Sequence, residues 1–392
     1  MVDFSTIRQY NFPTLIRFGA GAIAELPGHL AANGLSRPLL VTDPMVAQLG
    51  FFREIRRALE AKGISVEVFS DIHKNPVKSD VLKGGEAFAA ADRDSVVGIG
   101  GGAAMDVARA VVLRVHHRRD LFDYDDLIGG DQYVTEDVPY FITVPTTAGT
   151  GSEVGRSAII SEDDTHRKRI LFSPRLLARI VYADPLLTME LPPFVTAATG
   201  MDALTHNLEA YLAKMFHPMC EGIALEGIDL INRSLAQAVN RPDLGSRSRM
   251  LLGSLMGAVA FQKGLGVVHS LAHPLSSLLD THHGLANAVN LPYGMRFNIG
   301  GSEEKFRRIA QVMGIAGRGG KAGLPGKDGE AVVERLFAFN GEVGLPVRLR
   351  DIGVREEHIE TLADLAVADF AHPNNPKPVS REDFKKLYTE AL

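Results

Sequence analysis

Four of the chain's thirteen histidines, His269, His273, His282 and His283, fall within fifteen residues of the mostly apolar run "VVHSLAHPLSSLLDTHHGLANAV" (267–289). An imidazole is costly to bury without a partner, so the run asks what these rings hold. A second candidate set stands upstream in "GMDALTHNLEAY". There Asp202 and His206 are four apart and leave the same face of a predicted helix. His269 and His273 are also four apart. Pro274 is expected to bend or end their helix, and Gly284 marks His283 as a loop or helix boundary. One carboxylate with several imidazoles suits a borderline divalent ion such as Fe²⁺ or Zn²⁺. Each pair alone has a plainer explanation, one histidine bonded in the core and the other at the surface. Two such pairs in one apolar, helical part of the chain favour the metal.

A different chemistry is written in "VVGIGGGAAMD". Gly100, Gly101 and Gly102 stand where a predicted strand passes into a helix, and Asp106 is expected in that helix's first turn. Backbone N–H groups at such a turn can close on a phosphate, although a tight βα turn needs glycine in any case. The spacing departs from GxGxxG. Asp43 follows the strand "PLLVT", where a carboxylate can accept from a ribose and repel a 2′-phosphate. It comes well before the glycines, unlike the usual Rossmann acid, and capping the next segment is its plain alternative. "VPTTAGTGSEV" (144–154) adds hydroxyls and small residues directly after another strand, suited to ribose or pyrophosphate contacts.

These residues need a scaffold, and the chain shows two kinds. Strand-like runs at 38–42, 65–70, 95–100 and 140–146 alternate with helical stretches, one around 51–62, which indicates βαβ units and a parallel sheet. From about residue 193 the pattern is helix-periodic and strand-free, interrupted by the Gly-rich "GRGGKAGLPGKDG" (317–329). The expected architecture is an α/β domain over 1–192 and an all-helical domain over 193–392, with any active site in the cleft between them. A net charge of −5 argues against nucleic acid. No apolar run reaches membrane-spanning length, and "MVDFSTIRQYNF" lacks a signal-peptide layout. The single cysteine, Cys220, leaves no internal disulfide. A cytoplasmic protein is expected.

With "GGGAAMD", "PTTAGTGSEV", "ATGMDALTH" and "HSLAHPLSSLLDTHHGLANAV", the chain resembles the iron-containing (group III) alcohol dehydrogenases over essentially its whole length. The resemblance implies a dehydroquinate synthase-like fold, with a nucleotide-binding α/β domain and a helical metal domain. It places the metal ligands at Asp202, His206, His269 and His283, and a catalytic histidine beside nicotinamide and substrate at His273. His282 receives no role. Cofactor contacts carry over to Asp43, Asn75, Gly101, Gly102, Ala103, Asp106, Thr146, Thr147, Thr150, Lys168 and Leu187. Many family members have serine where this chain has Ala103, which removes one hydroxyl contact and keeps the backbone N–H. Asp43 matches the position linked to preference for NAD over NADP.

The activity implied is reversible interconversion of a primary or small alcohol with its aldehyde or ketone, using NAD(H) and Fe²⁺, with Zn²⁺ second. The metal acts as Lewis acid and His273 as proton relay. A semialdehyde-acid substrate becomes reasonable if Arg156 or Lys263 reaches the site; surface charges or cofactor-phosphate contacts are the alternative. Glycerol dehydrogenases and dehydroquinate synthases are similar in fold, and the Asp/His/His/His set with "AHPL" favours the dehydrogenase over a synthase-type lyase. A metal- or nucleotide-binding protein without turnover is the remaining contrast. A homo-oligomer is implied, with Phe12, Phe18 and their neighbours as an N-terminal edge strand.

Overall fold

The computed structural model describes residues 12, 14–316 and 327–392. Apart from Phe12 the N-terminal stretch considered for a signal peptide lies outside these, as do 317–326 of the Gly-rich stretch. From residue 14 onward the described residues form two compact units, one of 14–147 with 151–190 and one of 191–392 with 148–150.

The first unit carries eight strands: β1 (Leu15–Phe18), β2 (Pro38–Val41), β3 (Glu67–Phe69), β4 (Ser95–Gly100), β5 (Tyr140–Pro145), β6 (Ser157–Ser161), β7 (Lys168–Phe172) and β8 (Ile180–Ala183). Six form one sheet in the order β1-β8-β5-β4-β2-β3, parallel throughout, while β6 and β7 pair antiparallel on their own. Helices α1 (Leu26–Ala32), α2 (Gly50–Glu60), α3 (Lys78–Ala90) and α4 (Gly102–His116) accompany the sheet. Side chains alternate across a strand, so β2 and β4 serve two cores. Leu39, Val41 and Val96 pack with Val81, Phe88, Val107 and Val111 of α3 and α4. Leu40, Val97 and Ile99 pack with Leu30, Phe52, Ile55 and Leu59 of α1 and α2. Burial on both faces is why these strands read as unbroken apolar runs. Phe18 ends the edge strand β1, and Phe12 lies before it.

The sheet reverses its order beside β2. From β2 the chain moves outward to β3, then crosses back to β4 on the other side of β2. Ligands of open α/β sheets bind outside the strands' carboxyl ends at such a switch point.

The second unit is helical: α5 (Pro193–Leu212), α6 (Pro218–Asn240), α7 (Leu244–Ala260), α8 (Val267–Leu279), α9 (His283–Asn298), α10 (Glu303–Val312), α11 (Lys327–Glu342), α12 (Ile359–Val367) and α13 (Arg381–Ala391). Nearly every residue of α5 from Thr196 onward is buried, the mark of a central helix rather than a surface one, and α6, α7 and α9 pack around it. Pro274 does not end its helix, since α8 continues to Leu279. The ring removes one backbone hydrogen bond, while buried Leu271 and Leu275 hold the turn on either side. Residues 327–329, expected in a loop, open α11.

Candidate active site

Three helices of the second unit converge on one oxygen. Asp202 and His206 stand one turn apart on α5, His269 is on α8, and His283 is the first residue of α9. Nε2 of His206, His269 and His283 lies 3.9, 4.0 and 3.5 Å from Asp202 Oδ1. Ligand atoms of Asp202, His269 and His283 all lie within 4.8 Å of one another. Donors bound to one ion at about 2.0–2.2 Å stand roughly 3–4 Å apart, so modest tightening closes this group on a cation. The His206 ring stacks on His269, centroids 4.8 Å apart, and its nitrogen sits at the margin of the group.

Among the described residues no lysine or arginine pairs with Asp202; its ionic contacts are the three imidazoles. The Asn287 amide Nδ2 donates to Asp202 Oδ1 at 2.7 Å and lies 3.1 Å from His283 Nε2 and 3.4 Å from His269 Nε2. A buried carboxylate faced only by an amide and imidazoles fits a divalent cation supplied from outside the chain. Burial pushes His206 down to about 4, which keeps the ring neutral, as a ligand must be. Burial also opposes protonation of His269, but the hydrogen bond and charge of Glu209 prevail and raise it. Glu209 Oε2 accepts from His269 Nδ1 at 2.6 Å, and Oε1 accepts from the Val268 N–H at 2.7 Å. That bond leaves the Nε2 lone pair of His269 facing Asp202.

His273 sits one turn beyond His269. Its ring lies between those of His283 and Phe370, with centroid distances of 5.4 Å on each side. Its Nδ1 is 2.8 Å from Asp369 Oδ2, and Asp369 Oδ1 accepts from Ser270 Oγ at 2.6 Å and from the Ala371 N–H at 2.9 Å. Burial raises Asp369, but the charge and hydrogen bond of His273, with those of Ser270 and Ala371, pull it down to about 2. It is therefore a carboxylate, and Nδ1–H of His273 is the donor. Sequence reasoning missed Glu209, Asn287 and Asp369. Glu209 carried a faint signal, an acid three residues after His206 on an apolar helix face; Asp369 carried none. His282, left without a role, caps α9: its Nδ1 accepts from the Leu285 N–H at 3.4 Å, and its ring meets Phe194 edge-on.

In the first unit the switch point explains the unusual order of the nucleotide motifs. β2 and β4 are neighbours in register, Val41 opposite Gly98, so Asp43 and Gly100 emerge side by side. Gly100 has φ +152°, and a Cβ there would stand 2.7 Å from the Ala104 Cβ and 3.4 Å from Asp43 Oδ2, so glycine is required. Asp43 Oδ1 accepts from the N–H groups of Met45 and Val46, each at 2.9 Å, which is the capping role. Gly101 precedes α4 without a side-chain cap, leaving the first-turn N–H groups of Gly102 and Ala103 suited to an anion. Thr146 N–H donates to the Gly100 carbonyl at 2.9 Å, and Thr147 packs against Gly101.

Asp106 falls in the second turn of α4, not the first, because the helix begins at Gly102. Its carboxylate accepts from Ser152 Oγ at 2.9 Å and the Ile159 N–H at 3.3 Å, with Arg109 Nη1 3.6 Å away. Burial raises it to about 6 against the pull of Arg109, Ser152, Ile159 and Lys168. Lys168 opens β7. Leu187 is buried in the core with Ile99. Asn75 lies half-buried in the turn before α3. Thr150 belongs with the helical unit, where its neighbour Gly149 accepts from Ser254 Oγ at 3.1 Å.

Of the two cations considered for an anionic substrate, Lys263 is otherwise engaged. Lys263 is fully buried; its ammonium donates to the carbonyls of Ala210, Tyr211 and Ala213 and pairs with Glu221 at 3.1 Å. It closes the carboxyl end of α5, whose last carbonyls lack helical partners, and is not a substrate ligand. The Arg156 guanidinium lies over the Phe172 ring at 5.4 Å.

A doubly wound parallel sheet with a glycine turn at its switch point, and a helical unit with a convergent carboxylate–imidazole set, suit an enzyme that binds a nucleotide and a divalent ion. Residues 13–185 match the model described as iron-containing alcohol dehydrogenase, and 196–392 the Fe-containing alcohol dehydrogenase family, C-terminal. The chain belongs to the iron-containing alcohol dehydrogenase family and is an NAD-linked alcohol dehydrogenase. It is 36% identical to the 4-hydroxybutyrate dehydrogenase of Cupriavidus necator, covering 97% of this chain and 98% of that one. A solved 1,3-propanediol oxidoreductase superposes with TM-score 0.93 at 33% identity, covering 98% of this chain and 100% of that one. A sulfoacetaldehyde reductase from Bifidobacterium kashiwanohense, solved in complex with NAD⁺, superposes with TM-score 0.88 at 26% identity, covering 98% and 99%.

Proposed function

We propose that Asp202, His206, His269 and His283 hold a divalent ion, iron first and zinc second, and that His273 carries the proton in oxidation of a small primary alcohol. The observation that supports this reading is the meeting of three imidazole Nε2 atoms around Asp202 Oδ1 with no lysine or arginine among the described residues paired to it. Held by these four residues, the ion would supply Lewis-acid polarisation of the substrate oxygen, and a bound nicotinamide would supply the hydride acceptor or donor. In alcohol oxidation Nε2 of His273 accepts the hydroxyl proton and passes it to solvent; in aldehyde reduction the same nitrogen donates it. Glu209 orients His269, and Asn287 holds Asp202.

Residues 1–192 serve as the dinucleotide-binding domain and 193–392 as the metal-binding and catalytic domain. Gly101, Gly102 and Ala103 meet the pyrophosphate with Thr146, Thr147 and Thr150. Asn75, Asp106, Lys168 and Leu187 complete the cofactor site, and Asp43 favours NAD over NADP by repelling a 2′-phosphate. The protein acts in the cytoplasm as a homo-oligomer on small molecules, without nucleic acid or membrane partners; the net charge of −5 supports the former. No single helix among the described residues is long and apolar enough to cross a membrane.

The engagement of Lys263 favours an uncharged alcohol or diol. A short hydroxy acid is a second reading, carried by the relative named a 4-hydroxybutyrate dehydrogenase. The test is NADH formation by metal-stripped protein, with Fe²⁺ or Zn²⁺ restored, over 1-propanol, 1,3-propanediol and 4-hydroxybutyrate. Turnover restored by one ion and highest on the uncharged alcohols is expected. Highest turnover on 4-hydroxybutyrate selects the second reading, and no turnover with either ion overturns both.

A further inference from the structure

The segment after α12 brackets His273 from two directions. Phe370 covers one face of the imidazole, and its chain neighbour Asp369 meets the ring edge at Nδ1. Asp369 is itself held by Ser270 Oγ and the Ala371 N–H, and Ser270 Oγ in turn accepts from the His372 N–H at 2.9 Å. A few residues on, Asn375 fixes the segment to the start of α8: its Oδ1 accepts from the Val267 N–H at 3.2 Å and from Asn298 Nδ2 at 2.9 Å. Ring plane, ring edge and helix start are thus held by one stretch of chain about a hundred residues away from the histidine.

We propose that Asp369 is a positioning residue that fixes the tautomer and direction of the His273 ring, keeping the proton on Nδ1 and the lone pair on Nε2 for the alcohol. The inference rests on the proton-carrying reading of His273. An imidazole free to hold its proton on either nitrogen presents the wrong one part of the time and turns about χ2. A carboxylate accepting at Nδ1 removes both freedoms. No bond to carbon changes at Asp369: the substrate proton goes to His273 Nε2, and Asp369 keeps its negative charge.

The experiment uses zinc-loaded protein labelled with ¹⁵N in histidine, the His273 signals being identified by their loss in His273→Gln. In the unsubstituted protein Nδ1 is expected protonated and Nε2 bare. Asp369→Asn should mix the two tautomers and lower kcat by about a hundredfold, with KM for NAD⁺ and zinc per chain unchanged. Ser270→Ala, which keeps the carboxylate and removes one of its anchors, should move both readouts the same way by less, and serves if Asp369→Asn does not fold. In a His273→Ala background Asp369→Asn should cost no more than about twofold, since the two act as one unit. An unchanged tautomer in both variants, or a full additional loss in the His273→Ala background, overturns the positioning role. An undiminished kcat in His273→Ala overturns instead the reading of His273 itself, and the tautomer spectra tell the two failures apart.

Discussion

Asp106 and Asp202 are both carboxylates in helices beside small residues, and they meet opposite surroundings. Asp106 is answered within the chain by Ser152, the Ile159 N–H and the buried Arg109, which also donates to the Ser157 and Leu176 carbonyls. Asp202 is met by an amide and three imidazoles, with no lysine or arginine among the described residues. The first set is closed, its charges balanced by its own residues. The second is open, and the proposed ion would answer it. Lys263 belongs with the closed sets: its charge is spent on three carbonyls of α5 and on Glu221. A buried charge that its neighbours leave unanswered is therefore the stronger pointer to an ion.

Breaking the open set should have the largest effect. Asp202→Ala is expected to lower kcat at least about a thousandfold, ~4 kcal/mol in the barrier, and to abolish the rise in Tm that Zn²⁺ gives the stripped protein. Retained turnover and a retained metal response would contradict the distinction. Breaking a closed set should cost stability and leave selectivity alone. Lys263→Met strips the Ala210 and Ala213 carbonyls of their ammonium and leaves the Tyr211 carbonyl and Glu221 to Lys305 alone, and about 3 kcal/mol should be lost in urea unfolding. The ratio of kcat/KM for 4-hydroxybutyrate to that for 1,3-propanediol should not move; a fall in that ratio would return Lys263 to the substrate.

The smallest effect sharpens the comparison with a third carboxylate. Glu153 is buried, its Oε1 has no hydrogen-bond partner, and burial raises it from 4.5 to about 7 against its own backbone N–H and the Arg109 charge. A raised acid binds its proton more tightly folded than unfolded, so stability should fall as pH rises from about 4.5 to 7 and level off above. Glu153→Gln should flatten that slope and gain about 2 kcal/mol at pH 8. Unfolding midpoints from pH 5 to 8 for both proteins decide it; parallel curves would show that Glu153 is answered after all.

Much of this was legible in particular residues. The four-residue spacings of Asp202 with His206 and of His269 with His273 are helix geometry, and each pair shares one helix of the structure. The unbroken apolar runs at 38–41 and 95–100 are what two-faced burial demands, and both are central strands. Of the two outcomes expected at Pro274, a bend or an end, the end did not occur, since α8 runs on to Leu279, and Lys263 misled because its position in sequence says nothing about the end of α5.

The amino-acid sequence by itself determined what local geometry can carry: which residues share a helix face, where strands pass into glycine turns, and which donor types suit a divalent ion. Only the tertiary structure decided the pairings between distant segments. It set Asp43 beside Gly100 by making β2 and β4 neighbours, joined Glu209 to His269 across two helices, and brought Asp369 to His273. Such contacts depend on which elements pack together, a property of the whole core that no short stretch of chain encodes.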